Sequence, residues 1–165
     1  VTPVGGEVPV ESERLHGDVA LGIDPTGNPV VAWTERQDRR YESQVRLWRA
    51  GVSRRIDDAP PGVDAWRPAI AITDSAEIYA VWQDLRGGTN GLRMAKALGP
   101  DLDVAPSLRI DDAAEDAHAY APRAAARGDE IWIVWEDPRS GYSQVRLLRS
   151  SGDPSGGASL ELLDE

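Results

Sequence analysis

One phrase occurs three times in the chain. A run of β-forming residues ends in tryptophan, a polar turn follows, and a second β-run carries an arginine. It reads Pro29-Val-Val-Ala-Trp33 with Ser43-Gln-Val-Arg-Leu-Trp-Arg49, then Ile78-Tyr-Ala-Val-Trp82 with Gly91-Leu-Arg-Met-Ala-Lys96, then Ile131-Trp-Ile-Val-Trp135 with Ser143-Gln-Val-Arg-Leu-Leu-Arg149. The three tryptophans stand 49 and 53 residues apart. A second phrase, Arg-Ile-Asp-Asp, opens at Arg55 and again at Arg109. A strand-rich unit of about 50 residues cannot bury both its faces alone and must stack against its own copies, which is the sequence signature of a β-propeller blade. Three blades do not close a ring, so the chain is expected to need a partner or to belong to something larger.

Each repeat reads as four strands, A innermost to D outermost. Strand A is Val19–Ile23, Pro68–Ile72 and Pro122–Ala126, small and apolar as a crowded axis requires. Strand B ends in the tryptophan. Strand C alternates, with Val45 and Leu47 on one face and Gln44, Arg46 and Trp48 on the other. Strand D is Val52–Ile56, Leu108–Ile110 and Leu160–Leu163. Asp24-Pro-Thr-Gly-Asn28 and Arg127-Gly-Asp129 are turn chemistry between A and B. The blades therefore span 15–58, 59–112 and 113–165, preceded by an arm over 1–14. Within that arm Val8-Pro-Val-Glu11 stands where a D strand belongs and is a candidate for donation to a neighbouring molecule. Helix signals are confined to stretches such as Ala113–Ala117, enough for a turn or two. The fold expected is all-β: three four-stranded propeller blades plus an extra N-terminal strand, completed by oligomerisation.

Charge and composition exclude several functions. Acidic residues outnumber basic ones 28 to 18, for a net −10, and Lys96 is the only lysine. Nucleic acid and anionic membranes both demand a concentrated basic surface, so neither is an expected partner. With no cysteine there is neither a disulfide nor a thiolate zinc site. No run is long enough for a transmembrane helix. The opening residues are not a signal peptide, so the expected protein is either a mature form that has lost its leader or a fragment. Phosphate-loop, nucleophile-elbow and His-Glu-x-x-His patterns are absent, and no cofactor is expected. Asp101 and Asp103 lack calcium-loop spacing and read as a solvated turn, so no metal site is expected.

The loops after strand B carry a further pattern, Trp-x-Asp-x-Arg-x-Gly, at Trp82, Asp84, Arg86 and Gly88 and again at Trp135, Asp137, Arg139 and Gly141. The run Ile133-Val-Trp-Glu-Asp-Pro-Arg-Ser-Gly-Tyr-Ser-Gln-Val-Arg resembles the repeats of bacterial sialidase-like (BNR or Asp-box type) β-propellers. The resemblance covers roughly residues 15 to 150. Blade one departs from it, with Trp33 to Arg46 spanning 13 positions rather than 11, and the Asp-box itself is degenerate at Ser151-Gly-Asp-Pro-Ser-Gly-Gly157. The resemblance implies a propeller; it implies a particular activity only weakly, because propellers host unrelated functions.

Residues repeated in every blade serve the blade. Trp33, Trp82 and Trp135 are expected to pack between blades, and Asp84 with Arg86, like Asp137 with Arg139, to form bidentate loop latches. Sialidases hold a substrate carboxylate with three arginines, but Arg46, Arg93 and Arg146 fall on strand C, too far from the axis to converge. They are read instead as ion-pair partners for Asp57, Asp58, Asp111 and Asp112. The chemistry that does not repeat lies just before strand A, where alignment sets Trp66 opposite Tyr120, with His16 at about the same offset in blade one. His16, Trp66, Arg67, Tyr120, Arg86 and Arg139 are therefore the candidate ligand-binding residues, with Asp64 and His118 nearby. Aromatic faces beside a few polar groups are what a sugar or small-ligand pocket requires. The alternative is that these rings plug the channel.

The function expected is a non-enzymatic, extracellular or cell-surface bacterial binding or scaffold module, with a glycan or protein ligand on the axial face. Self-association is expected, as a homodimer of six blades or as a polymer. A filament or surface layer built through the N-terminal strand is the second reading. A sialidase-like glycosidase is the third, and no catalytic residue is assigned.

Overall fold

The computed structural model describes residues 15–37, 42–111, 118–139, 141–151 and 159–162 of the 165. Thirteen strands form three antiparallel sheets, and no helix occurs among the described residues. The first sheet runs β1 (Leu15–Ile23), β2 (Pro29–Gln37), β3 (Glu42–Arg49), β4 (Val52–Arg55). The second runs β5 (Ala65–Ile72), β6 (Ile78–Asp84), β7 (Gly91–Leu98), β8 (Asp103–Val104), with β9 (Leu108–Arg109) also paired to β7. The third runs β10 (Tyr120–Arg127), β11 (Glu130–Asp137), β12 (Gln144–Ser151), β13 (Ser159–Leu162). Each sheet is a meander, and β5 adjoins both β1 and β10, so the three sheets meet along their first strands as propeller blades do. The donor strand expected at Val8–Glu11 and the turn expected at Ala113–Ala117 lie outside the described residues.

Strand alternation gives every blade two faces, and both seams use opposite faces of the blades they join. At the first seam Val30, Ala32, Val45 and Leu47 of blade one meet Ile70, Ile78, Ala80, Trp82, Ala95 and Ala97 of blade two. At the second, Ala71, Tyr79, Val81, Leu92 and Met94 of blade two meet Ile131, Ile133, Trp135 and Leu148 of blade three. Blades two and three thus each present their tryptophan face to the blade before them. Gly22 sits where a Cβ would come within 2.7 Å of Ile72 Cδ1, so a glycine there lets β1 and β5 approach closely. The indole N–H groups of Trp33, Trp82 and Trp135 are buried without a hydrogen-bond partner in the structure, so packing rather than polar contact holds these rings.

Three features depart from the expected pattern. The A strands begin earlier than expected, because each runs through a bulge into the preceding segment. The outer strand of blade two is split into β8 and β9 around Pro106, which has no N–H to offer the ladder. The strand C arginines also take partners other than those expected. Each lies directly opposite its blade's tryptophan: Arg46 faces Trp33, Arg93 faces Trp82 and Arg146 faces Trp135. Arg46 pairs with Glu35 at 3.2 Å, Arg93 donates to the Ser107 Oγ and carbonyl at 2.7 Å each, and Arg146 pairs with Asp137 at 2.7 Å. Asp57 and Asp111 are taken by the arginine of their own Arg-Ile-Asp-Asp phrase, at 2.6 Å from Arg55 and 2.7 Å from Arg109. The same carboxylates accept the strand C amides of Val45 and Leu92, so the repeated phrase is a clasp that pins the outer edge of the blade to its third strand. Asp112 lies outside the described residues.

Candidate functional site

The axial end of the blades is shaped by one backbone device used three times. Asp18, Arg67 and Ala121 occupy the bulges of β1, β5 and β10, with φ of 45°, 52° and 50°. Left-handed backbone at a non-glycine residue is strained and persists only where surrounding contacts hold it. Here the contact comes from the preceding blade. The Arg67 N–H donates to Thr34 Oγ1 at 3.1 Å, and the Ala121 N–H donates to Gln83 Oε1 at 3.2 Å. Thr34 and Gln83 each directly follow their blade's tryptophan, so the bulges of β5 and β10 are locked across a seam.

The ladder register fixes the alignment of the candidate residues. Trp66 pairs with Gln83 and Tyr120 with Glu136, and the residue that pairs with Thr34 in blade one is Gly17. His16 pairs with Glu35, as Ala65 pairs with Asp84. Blade one therefore has no ring at the Trp66 position. His16 falls one residue short, because it stands three residues before Val19, whereas Trp66 and Tyr120 stand two before Pro68 and Pro122. The side chain of His16 lies outside the described part of the structure.

Trp66 lines an open cleft of about 460 Å³ between blades one and two. Asp18, Thr34, Arg36 and Ser43 come to it from blade one, and Asp64 and Leu85 from blade two. Asp64 Oδ1 accepts the Ser43 N–H at 2.7 Å, and the Thr34 hydroxyl reaches Asp18 Oδ2 at 3.5 Å while accepting from Arg67. The cleft thus joins a half-buried indole to two carboxylates, a hydroxyl and a guanidinium. A second groove of about 580 Å³ runs along the inner strands past Asp18, Leu21, Arg67, Pro68, Ala121 and Arg123. Asp18 lines both.

Of the other expected site residues, Arg67, Arg86, Tyr120 and Arg139 do not line the Trp66 cleft. The Arg86 fork binds Asp84 at 2.9 Å through each of two nitrogens and reaches Asp58 at 2.7 Å. It lines a small crevice with Arg93 and Arg109, not the cleft. Arg139 binds the buried Asp137 in the same way. Both guanidinia hold loops, and neither lines the cleft. Tyr120 stacks on His118 with ring centroids 5.8 Å apart and planes 4° from parallel, and His118 Nδ1 accepts the Asn90 N–H at 3.4 Å. Arg67 lines the axial groove. Among the described residues no three His, Asp or Glu side chains gather as metal ligands would.

The electrostatics are those of latched carboxylates. Asp58 sits at about 2: burial works against its charge, but hydrogen bonds from the Ser107 hydroxyl and the Arg86 guanidinium outweigh it. Burial likewise opposes ionisation of Asp137, and the Arg139 fork, with Arg146 behind it, draws its pKa below the ordinary carboxylate value.

Sequence reasoning did not find Asp18, Thr34, Arg36 or Ser43. The signal available for Thr34 was its place directly after the repeated tryptophan, a position that is polar in every blade: Thr34, Gln83 and Glu136.

No family model and no curated protein matches the sequence. Solved structures do match the fold. A family 117 glycoside hydrolase from the marine bacterium Zobellia galactanivorans superposes with a TM-score of 0.60 at 12% identity, over 90% of this chain and 56% of that one. A protein of unknown function from Dyadobacter fermentans gives 0.65 at 10% identity, over 87% and 40%. A fucose lectin from Kordia zhangzhouensis, solved in complex with methyl-fucoside, gives 0.51 at 10% identity, over 89% and 99%. The chain spans about half the length of the first two and nearly all of the lectin. At these identities the likeness is one of fold.

Proposed function

We propose that this chain is a glycan-binding β-propeller module and that the Trp66 cleft is its sugar site. The observation that carries the reading is the pairing of an indole with Asp18, Asp64 and Thr34 in one open cleft. A pyranose offers an apolar C–H face and a rim of hydroxyls. Aromatic rings take the face, and carboxylates accept two hydroxyls at once. The groups come from two blades, so the seam that fixes the fold also sets the spacing of the site. The fold likeness to a lectin supports the reading without identifying the sugar. The repeat resemblance to sialidase-like propellers supports the scaffold in the same way. In this reading the module works at or beyond the bacterial surface, where it meets free and surface glycans.

A second reading is favoured by the two carboxylates, Asp18 and Asp64, lining one cleft, since paired acids are what glycoside hydrolysis needs. Turnover of fluorogenic glycosides that is lost in Asp64→Asn would select it.

The test is a glycan array followed by titration calorimetry on the best hit. Trp66→Ala should cost up to about tenfold in affinity, since a stacked ring is worth about 0.5–1.5 kcal/mol beyond the area it buries, with the circular dichroism spectrum unchanged. An array with no hits, or a Trp66→Ala protein that binds as wild type does, overturns the reading.

A further inference from the structure

The two outward-facing sheet surfaces of the three-blade unit are halves of the same seam. At the position of Ile70 and Ala124, blade one carries Leu21, which pairs with Val31 as Ile70 pairs with Ala80 and Ala124 with Ile133. Ile70 is 8% exposed at the first seam, whereas Leu21 is 68% exposed, flanked by Val19 and Ile23. The opposite flank shows the same contrast. Val45, Leu92 and Val145 are equivalent, each facing the residue that follows its blade's tryptophan. Val45 and Leu92 are fully buried, and Val145 is 52% exposed. Among the described residues, one flank is therefore an uncovered tryptophan face, and the other is an uncovered face of the kind that receives a tryptophan face.

We propose that a second copy of this chain covers both flanks. The Val19–Leu21–Ile23 face of each copy docks on the Val145 face of the other, repeating the two internal seams. The register follows from the lock already described: Glu136 stands where Thr34 and Gln83 stand, and it receives the Asp18 N–H of the other copy as those residues receive the N–H groups of Arg67 and Ala121. A head-to-tail contact that closes after two copies gives a six-bladed ring with two identical seams, whereas one that does not close gives a filament. This inference does not depend on the glycan reading.

Light scattering on the 165-residue chain should give about twice its 17.9 kDa. Leu21→Glu and Val145→Glu should each be monomeric, because every seam in either ring would include one altered face. Mixing the two variants should restore a dimer, since one seam then has both faces intact. Both positions are more than half exposed, so neither change disturbs a packed core. A wild-type monomer, a filament, a Val145→Glu protein that stays dimeric, or a mixture that does not associate overturns the proposal. The chain has no cysteine, which allows a check with little perturbation. A single Val145→Cys thiol should be protected from alkylation at high protein concentration and lose that protection on dilution. Equal labelling at both concentrations also overturns it.

Discussion

Asp24 shows how much one carboxylate does in a turn that reads simply as polar. Its Oδ1 accepts the amides of Thr26 and Asn28 at 2.9 Å each and the Thr26 hydroxyl at 2.6 Å, while Oδ2 takes Arg49 from the third strand at 2.8 Å. The Thr26 hydroxyl is the largest of the influences that hold it at about 2, well below the ordinary 3.8. Asp58 is held at about 2 as well, and Asp137 is lowered in the same direction. A carboxyl with a depressed pKa in the folded protein stabilises the fold fully above its unfolded value. It loses that contribution as pH falls toward the folded value. The window here lies between about pH 4 and pH 2. Thermal melting should be insensitive to these groups from pH 7 to 5 and should fall steeply below pH 4. Asp24→Asn should lower the melting temperature at pH 7 and flatten part of the acid limb. An acid limb of unchanged steepness in that variant would remove Asp24 from the account.

Strands and blades were the most legible level. The alternation in strand C and the spacing from tryptophan to arginine required the B–C hairpins, and the structure pairs Trp33 with Arg46 just as it pairs Trp82 with Arg93, although blade one has two more residues between them. The extra residues lengthen the hairpin: its ladder runs on to Gln37 opposite Glu42, whereas the one in blade two stops at Asp84 opposite Gly91. What the sequence could not show was the bulge. A single inserted residue has no signature of its own when it is Asp18, Arg67 or Ala121. The ion-pair partners were illegible for a related reason. Each arginine has several acids within reach along the chain, and only the register decides which one it meets. The candidate site was half legible: Trp66 and Asp64 sit in one segment, but Asp18, Thr34, Arg36 and Ser43 reach the cleft from the other blade. Seam packing also makes an element-scale prediction. Trp82 belongs to blade two but packs among Val30, Ala32, Val45 and Leu47 of blade one. Trp82→Ala should cost about 3–5 kcal/mol by urea unfolding. Hydrogen exchange should quicken in β2 and β3 as well as in β6. Loss confined to β6 would mean that the blades are stable singly and that the seam contributes little.

At the scale of the molecule, ring closure and sugar binding make a joint prediction that neither makes alone. The cleft is formed by blades one and two of a single chain, so it does not need a second copy. Rotation about the axis of a two-copy ring would carry one Trp66 cleft onto the other on the same axial face, whereas a dimer made flank to like flank would turn them to opposite faces. A surface coated with the sugar could then engage both clefts of a ring at once, with the second event intramolecular and the gain in avidity on the order of 10² or more. Each copy carries a net charge of −10, so closing the ring works against like-charge repulsion, and added salt should favour it. Leu21→Glu should therefore keep the wild-type affinity for a free monovalent glycan in calorimetry. It should lose on the order of 10²-fold in retention on a dense glycan surface, with wild-type retention rising between low and physiological salt. Equal loss in both formats would place Leu21 in the site itself. Undiminished surface binding would mean that the clefts of one particle do not share a face.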